Sequence, residues 1–500
     1  MKNKFFVTTV GSLVIFISGC GGGGSGTNTL DKDLDAIITA HALTGDPTTG
    51  RNLPSINDPL PQLGMKLFFT KALGADKDSA CVSCHHPSLG GGDDLSLSIG
   101  VDAETPDLLG PGRRHEFGAP GFDGGPTVPR NAPSTFNIGL WDSVLFHDGR
   151  VESLDKIAAA NGAGPSGIRT PDSAFGTADV NSGVNLAEAQ SRFPVTSPEE
   201  MRGFDFPAIN SNALIRTDLE NRLKGVASTI TALATNDWLT EFRTGFADPV
   251  GTANGLITYG NIARAMGEYE RSQVFINNAW KAYVDGDTSA ISDDAKKGAK
   301  LFFNTIAEGG ANCAACHSGD FFTDEKFHVV AMPQIGRGKG DGANANDDFG
   351  RFRETAVLSD KYAFRTPALL NVEVTGPWNH VGSYTTLEAV VRHHLNPQNA
   401  IDNYDYSQID SSIDASDTAT NTQLAMDTLT ANRAAGIINP IIEDVSLTDA
   451  QVNQLVAFLK TLTDPCLQDR TCLSQWIPTA QDTNPDSLRV NGIDQNGGSL

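Results

Sequence analysis

The chain has 500 residues, enough for two or three domains at roughly 150 residues each, and 60 acidic against 37 basic side chains give it a net charge of −23. A surface that acidic argues against a nucleic-acid partner and favours cationic proteins. Hydrophobic content of 39% suffices for packed cores, 51 glycines imply long loops, and no apolar run beyond the N-terminus approaches the ~20 residues of a membrane-spanning helix.

Lys2 and Lys4 precede an apolar stretch, Phe5 to Ile17, that ends in Ile17-Ser18-Gly19-Cys20. This pattern reads as an export signal over residues 1–19, cleaved ahead of a lipid-bearing Cys20; an ordinary signal peptide with a chance cysteine is the alternative. Cleavage removes two lysines and takes the mature chain to about −25. Residues 20–30, with Gly-Gly-Gly-Gly-Ser-Gly over 21–26, then form a flexible tether. The expected location is the periplasm, with membrane contact only through the lipid. Gly21 after the cysteine resembles lipoproteins sorted to the outer membrane. Thiols do not stay free in that compartment.

Further along, Gly64-Met65-Lys66-Leu67-Phe68-Phe69 has the pattern of a helix with Leu and Phe on its inner face, and Cys81-Val82-Ser83-Cys84-His85 follows it. The same order returns as Gly298-Ala299-Lys300-Leu301-Phe302-Phe303 and Cys313-Ala314-Ala315-Cys316-His317, with Ser292 as the expected cap of the second helix. The glycines lie 234 residues apart and the first cysteines 232. C-x-x-C-H is the attachment pattern of c-type haem: two thiols add to the haem vinyl groups and the adjacent imidazole reaches the iron from the same face. Cys81, Cys84, Cys313 and Cys316 are thus expected to carry two covalent haem c groups, with His85 and His317 as iron ligands. A zinc half-site is the alternative for one motif alone, and no further cysteine pair stands nearby to complete one. Cys466 and Cys472 remain, and an oxidising compartment favours a disulfide between them over a free pair.

Helical spacing also marks 260–270, with Ile262, Ala265 and Met266 on one face, and 448–462, with Val452, Leu455, Val456, Leu459 and Leu462. Alternating strand patterns are few. The expected class is mostly α, two cytochrome c-like haem domains with long Gly/Pro-rich loops. The expected spans are 31–250 for the first domain, 251–475 for the second and 476–500 for a C-terminal tail.

Several loop segments accompany the motifs in order: Gly90-Gly91, Ser98-Ile99-Gly100, Arg130-Asn131-Ala132-Pro133, Asp148-Gly149-Arg150 and Pro198-Glu199-Glu200-Met201. Asn261 to Ala265, Phe364-Arg365-Thr366-Pro367, Thr375-Gly376-Pro377-Trp378 and Thr386-Leu387-Glu388 follow. In this order the chain, from about Leu60 to Leu462, resembles the bacterial di-haem cytochrome c peroxidase family, including its MauG-like branch. The resemblance implies a peroxide site at the N-terminal haem and a C-terminal haem that passes electrons to it. It implies Glu200 as the catalytic carboxylate, which takes a proton from the inner peroxide oxygen and returns it to the outer one. Gln190 falls on the family's nearby glutamine. Asn131, Thr375 and Pro377 fall on the positions whose oxygens hold an interdomain calcium ion, a hard cation suited to such donors. Hydrogen peroxide, a small donor protein (a cytochrome c or cupredoxin) and a second copy of the chain in a homodimer are the implied partners.

Two departures stand out. Peroxidase members place a blocking histidine directly after the Ser-Ile-Gly segment; here Val101 stands there, so the first haem is expected to be open unless His115 swings in from its loop. At the second haem the family uses methionine or tyrosine, and that position falls on His394. His393 is its rival, since adjacent helical residues point about 100° apart, and Met332 is the one plausible methionine. His147 occupies a position between the haems where relatives carry tryptophan, and His380 one near the C-terminal haem; a hydrogen bond to propionate or backbone is expected for His147 and propionate contact for His380. An insertion of roughly 158–188 lies between Leu154 and Gln190. The function this implies is a di-haem peroxidase that reduces hydrogen peroxide to water; the alternatives are a MauG-like oxidase of another substrate and a non-catalytic dihaem electron carrier.

Overall fold

A glycine interrupts the apolar face of one long helix in each half of the chain, and the computed structural model shows why. It describes residues 29–122, 125–204, 211–437 and 442–500; the export signal, Cys20 and the tether up to residue 28 lie outside the described residues. Helices carry most of the regular structure: α1 (Thr29–Ala40), α2 (Pro59–Phe69), α3 (Tyr259–Arg271), α4 (Asp293–Phe303), α5 (Leu387–Leu395) and α6 (Asp449–Lys460) frame the molecule. The strands are short, two to three residues each, in one three-stranded and one two-stranded antiparallel sheet.

Helix α2 crosses α3, and α4 crosses α6. At each crossing the glycine sits on a backbone carbonyl of its partner: a Cβ on Gly64 would lie 1.9 Å from the Ala265 oxygen, and one on Gly298 1.9 Å from that of Gln454. Only glycine allows helices so close. Leu63, Leu67, Ile262 and Met266 close the first crossing, and Leu301, Phe302, Leu455 and Phe458 the second. Each such side chain contributes roughly 1.5–3 kcal/mol on burial. The starts are capped as the residue types require: Ser292 Oγ accepts from the Ala295 amide at 3.2 Å, and Thr448 and Gln451 cap each other's amides.

This packing corrects the expected spans. The boundary at 250/251 precedes α3, which belongs to the first unit because it crosses α2. Helix α1 joins the second unit, with Leu34 in the same core as Phe302 and Asp31 bonded to Tyr283 Oη at 2.9 Å and Lys296 Nζ at 2.7 Å; it also starts two residues inside the expected tether. Residues 476–500 are no loose tail. The Cys466–Cys472 pair is disulfide-bonded, and the chain beyond it straps back over the first unit. The Val490 amide donates to the Phe69 carbonyl at 2.8 Å, the Lys71 amide to the Leu488 carbonyl at 3.1 Å, and Ile493 exchanges bonds with Asp107 and Leu109 at 2.9 and 3.0 Å. Asp486 accepts from Thr70 Oγ1 and Trp238 Nε1 beneath it. Helix crossings and straps join residues hundreds of positions apart, which local patterning does not reveal. Among the described residues no helix is long and apolar enough to cross a membrane.

Candidate haem sites and the cavity between them

The first C-x-x-C-H motif follows α2 as a single tight turn, in which the His85 amide donates to the Cys81 carbonyl at 3.1 Å. His85 Nδ1 bonds the Gly91 carbonyl at 3.2 Å. A carbonyl can only accept, so Nδ1 carries the proton and Nε2 keeps a lone pair for a metal. The second motif repeats this: His317 Nδ1 bonds the carbonyls of Phe322 and Pro367, each at 3.1 Å. Burial pulls both imidazoles down to about 4, so they stay neutral, as metal ligands must.

One largely apolar cavity runs from Cys81 and His85 to Cys313, Cys316, His317 and His394. His394, exposed along this cavity, lies on α5 with Nδ1 bonded to the Val390 carbonyl at 2.8 Å. Its ring centre is 6.4 Å from that of His317. An iron between two imidazole nitrogens, at about 2.0 Å per bond, puts the ring centres roughly 6 Å apart. His393 faces away: Nδ1 accepts from Tyr384 Oη at 2.8 Å and Nε2 donates to the Val330 carbonyl at 2.7 Å, leaving no lone pair for a metal. Met332 also lines the cavity.

A second, smaller pocket adjoins the first motif and is lined by Cys81, Cys84, His85, Gln190, Glu200, Arg150 and Lys339. Glu200 sits in the turn Pro198–Arg202. Gly100 packs beneath that turn, where a Cβ would come within 2.4 Å of the Glu199 and Glu200 carbonyl oxygens. Val101 is fully buried with its amide donating to the Glu199 carbonyl at 3.3 Å. His115 is buried and stacks on Phe122 with ring centres 5.5 Å apart. Burial raises the Glu200 carboxyl above the ordinary glutamate value, and the charges of Arg150 and Lys339 oppose this only in part. The insertion packs behind the large cavity: Ile168 and Leu186 are buried in one cluster with Ile138 and Trp141, which line it.

Between the motifs, Arg130 lies buried between Asp148 at 2.6 Å and Asp348 at 2.6 Å. Burial alone would raise both carboxyls; Arg130 outweighs it, holding Asp348 at about 2 and Asp148 lower still. His147 Nε2 bonds the Asn131 carbonyl at 3.0 Å, and His380 stacks on Phe364 with ring centres 3.6 Å apart. Asn131, Thr375 and Pro377 all line the large cavity. Beside them, Gly90 of the first unit sits on the Val374 carbonyl of the second, where a Cβ would be 2.0 Å away. Asn131 Nδ2 donates to the Leu95 and Ser96 carbonyls, at 2.8 and 3.2 Å, which turns its oxygen elsewhere.

These residues fit haem. The four motif cysteines are unpaired and border apolar space. Arg365, stacked 3.6 Å over Trp141, leaves Nη1 buried with no hydrogen-bond partner in the structure, a cation ready for a propionate. Zinc fits less well. The one cluster of three metal-capable side chains among the described residues is Cys316, Asp324 and His328, and Asp324 already holds His328 at 2.8 Å; the first motif has no such cluster.

The model of the di-haem cytochrome c peroxidase family matches residues 59–289. Over 379 residues the chain is 27% identical to the methylamine utilization protein MauG of Methylorubrum extorquens, covering 74% of this chain and 79% of that protein. It is 24% identical to the cytochrome c551 peroxidase of Pseudomonas aeruginosa, over 67% and 71% of the two chains. Together these matches support a member of the di-haem cytochrome c peroxidase/MauG family. Its fold agrees: the crystal structure of a MauG-like protein associated with microbial copper homeostasis superposes with a TM-score of 0.53 at 21% identity, covering 84% of this chain and 94% of that one.

The family likeness supports two haem c groups, and the sequence concealed several residues around their sites. Arg150 and Arg365 stood in recognised segments without an assigned task. Lys339, in the pocket with Glu200, lies in the glycine-rich run Gly336–Gly342 of the second unit and had no signal at all. The Arg130–Asp148–Asp348 network was hidden too, since its partners are up to 218 residues apart.

Proposed function

We propose that the protein reduces hydrogen peroxide to water at its N-terminal haem, with electrons that arrive through the C-terminal haem from a small redox protein. The observation that carries this reading is the pocket in which Glu200 and Gln190 face the Cys81–His85 motif while Val101 offers no ligand. A bound haem supplies the redox equivalents for splitting the O–O bond. His85 would hold its iron through Nε2, and Glu200 serves peroxide in the pocket that both residues line. Its carboxylate takes the proton from the inner peroxide oxygen and delivers it to the outer one, so that water leaves. Gln190 positions peroxide and transfers no proton. Arg150 and Lys339 favour the ionised Glu200 against the cost of burial. At the second site His317 and His394 would hold the iron.

The reading extends to parts supported by sequence pattern. Residues 1–19 direct export, lipid on Cys20 tethers the protein in the periplasm, and the Asn131 side-chain oxygen with the carbonyls of Thr375 and Pro377 holds a calcium ion that joins the units. His394 favours a second reading, a MauG-like oxidation of another substrate, because imidazole in place of thioether lowers the haem potential and makes the ferrous state harder to populate.

Stopped-flow mixing of ferric protein with peroxide tests the proposal. The ferric protein reacts without prior half-reduction, and Glu200→Gln slows that reaction by about 10²-fold or more with haem content unchanged. The wild-type rate falls on the acid side with a midpoint above the ordinary glutamate value, because the raised carboxyl must be ionised to accept a proton; the variant loses this dependence. An unchanged rate in the variant makes Glu200 structural and overturns the assignment.

A further inference from the structure

Beyond His394 the aromatic rings continue in single file to the surface. The centre-to-centre steps are 6.2 Å from His394 to His393, 5.4 Å to Tyr384, 5.6 Å to Tyr404 and 4.9 Å to Tyr406. Tyr384 is 3% exposed and Tyr406 44%, so the file begins in the core and ends in solvent. Its inner members are fixed in place. Tyr384 Oη donates to His393 Nδ1 at 2.8 Å, and Tyr404 Oη donates to the Ser383 carbonyl at 2.5 Å. Burial raises both phenols, which stay protonated at any working pH. Hydrophobic packing alone does not call for phenols here: each buried hydroxyl has to be given a partner, and each has one. The segment at the outer end is acidic, with Arg114 from the first unit near enough to act on Asp410. Residues 395–432 contain no lysine or arginine, and Asp402, Asp405, Asp410 and Asp414 are exposed within eight positions of Tyr406.

We propose that Tyr384, Tyr404 and Tyr406 relay oxidising equivalents from the second haem to the surface, where a one-electron donor protein with a basic face docks on the acidic segment 402–414. The relay rests on the peroxidase reading above. In each cycle Tyr406 loses one electron inward, through Tyr404 and Tyr384, and its phenolic proton passes to water. The resulting neutral tyrosyl takes one electron from the donor and one proton from water, which restores the phenol. Two such cycles, with two protons from solvent, reduce one hydrogen peroxide to two waters and leave two donor molecules one electron poorer. Tyr384 and Tyr404 end each cycle unchanged, with their protons held in their hydrogen bonds. Acidic side chains speed the encounter with a basic partner more than they tighten it.

Freeze-quench electron paramagnetic resonance of the ferric protein mixed with peroxide, without donor, tests the relay. A tyrosyl signal is expected, narrowed when the protein is grown on ring-deuterated tyrosine, and peptide mapping finds oxidation at Tyr406. Tyr406→Phe and Tyr404→Phe keep the rings and their packing but lose the oxidisable phenol. Both variants should lower the tyrosyl yield and slow the oxidation of a ferrous, basic mitochondrial cytochrome c on the order of tenfold. Asp402→Asn with Asp405→Asn should flatten the salt dependence of that oxidation. A wild type that reacts with peroxide but gives no tyrosyl signal, or Phe variants equal to wild type, overturns the relay and leaves the peroxidase reading standing. An unchanged salt dependence in the Asp variant overturns the docking site. A wild type inert to peroxide overturns the peroxidase reading itself.

Discussion

At Val101 an isopropyl group has no lone pair to offer a metal, and the backbone bond to Glu199 keeps this residue against the turn that carries Glu200. His115 is buried in its stack on Phe122 and is not among the residues that line the Glu200 pocket. The as-isolated ferric protein is therefore expected to show one high-spin haem, the first, and one low-spin haem, the second. Two low-spin signals at neutral pH would mean that a side chain reaches the first iron after all. The second haem makes its own prediction. Thioether stabilises ferric iron less well than imidazole, so His394→Met should raise the potential of that haem and leave the first one unmoved in a redox titration. His393→Gln, by contrast, should keep the low-spin spectrum, since both His393 nitrogens are committed to Tyr384 and Val330.

Helix crossings carry the next level of organisation. The repeated glycines are the closest points of approach, and a methyl group at either would meet a carbonyl oxygen that belongs to a helix and cannot step aside. Gly298→Ala should push α4 from α6 and cost about 1–3 kcal/mol, the usual range for overpacking. The readout is a lower urea midpoint with little change in slope. Gly309 has open space around the position of a Cβ, although its φ of +81° strains any side chain. Gly309→Ala should therefore cost backbone strain without moving the helices apart.

The whole molecule is held by segments that cross from one unit to the other. Lys339 comes from the second unit to the pocket of the first, Gly90 docks on the Val374 carbonyl, and the C-terminal strap ties the first unit's loop at Asp107 and Leu109. Ile493→Pro removes the amide that donates to Asp107. Trypsin should then cut faster after Arg113 or Arg114, in the loop that the strap pins, while the low-spin signal of the second haem persists. Equal cutting rates would show that the loop holds itself.

Much of the protein's chemistry is written locally. Five adjacent residues specify each haem attachment, a run of eleven with a central glycine specifies α2 and α4, and Ser292 and Thr448 announce the helix starts that they cap. These signals survive in sequence because covalent spacing and helical periodicity are properties of near neighbours. The resemblance also pointed to Glu200 and Gln190, which the fold brings into one pocket. Tertiary structure decided what depends on distant partners. Helical spacing alone left His393 and His394 as rivals, and only the approach of Tyr384 and Val330 turned one of them from the cavity. The unit boundary moved because α3 crosses α2 across nearly two hundred residues, and the expected tail became a strap because its apolar residues found the first unit's core. Lys339, Arg365 and the file of tyrosines gained their places the same way: a glycine-rich loop, a short strand and a surface segment carry no periodicity, so packing alone sets where their side chains stand.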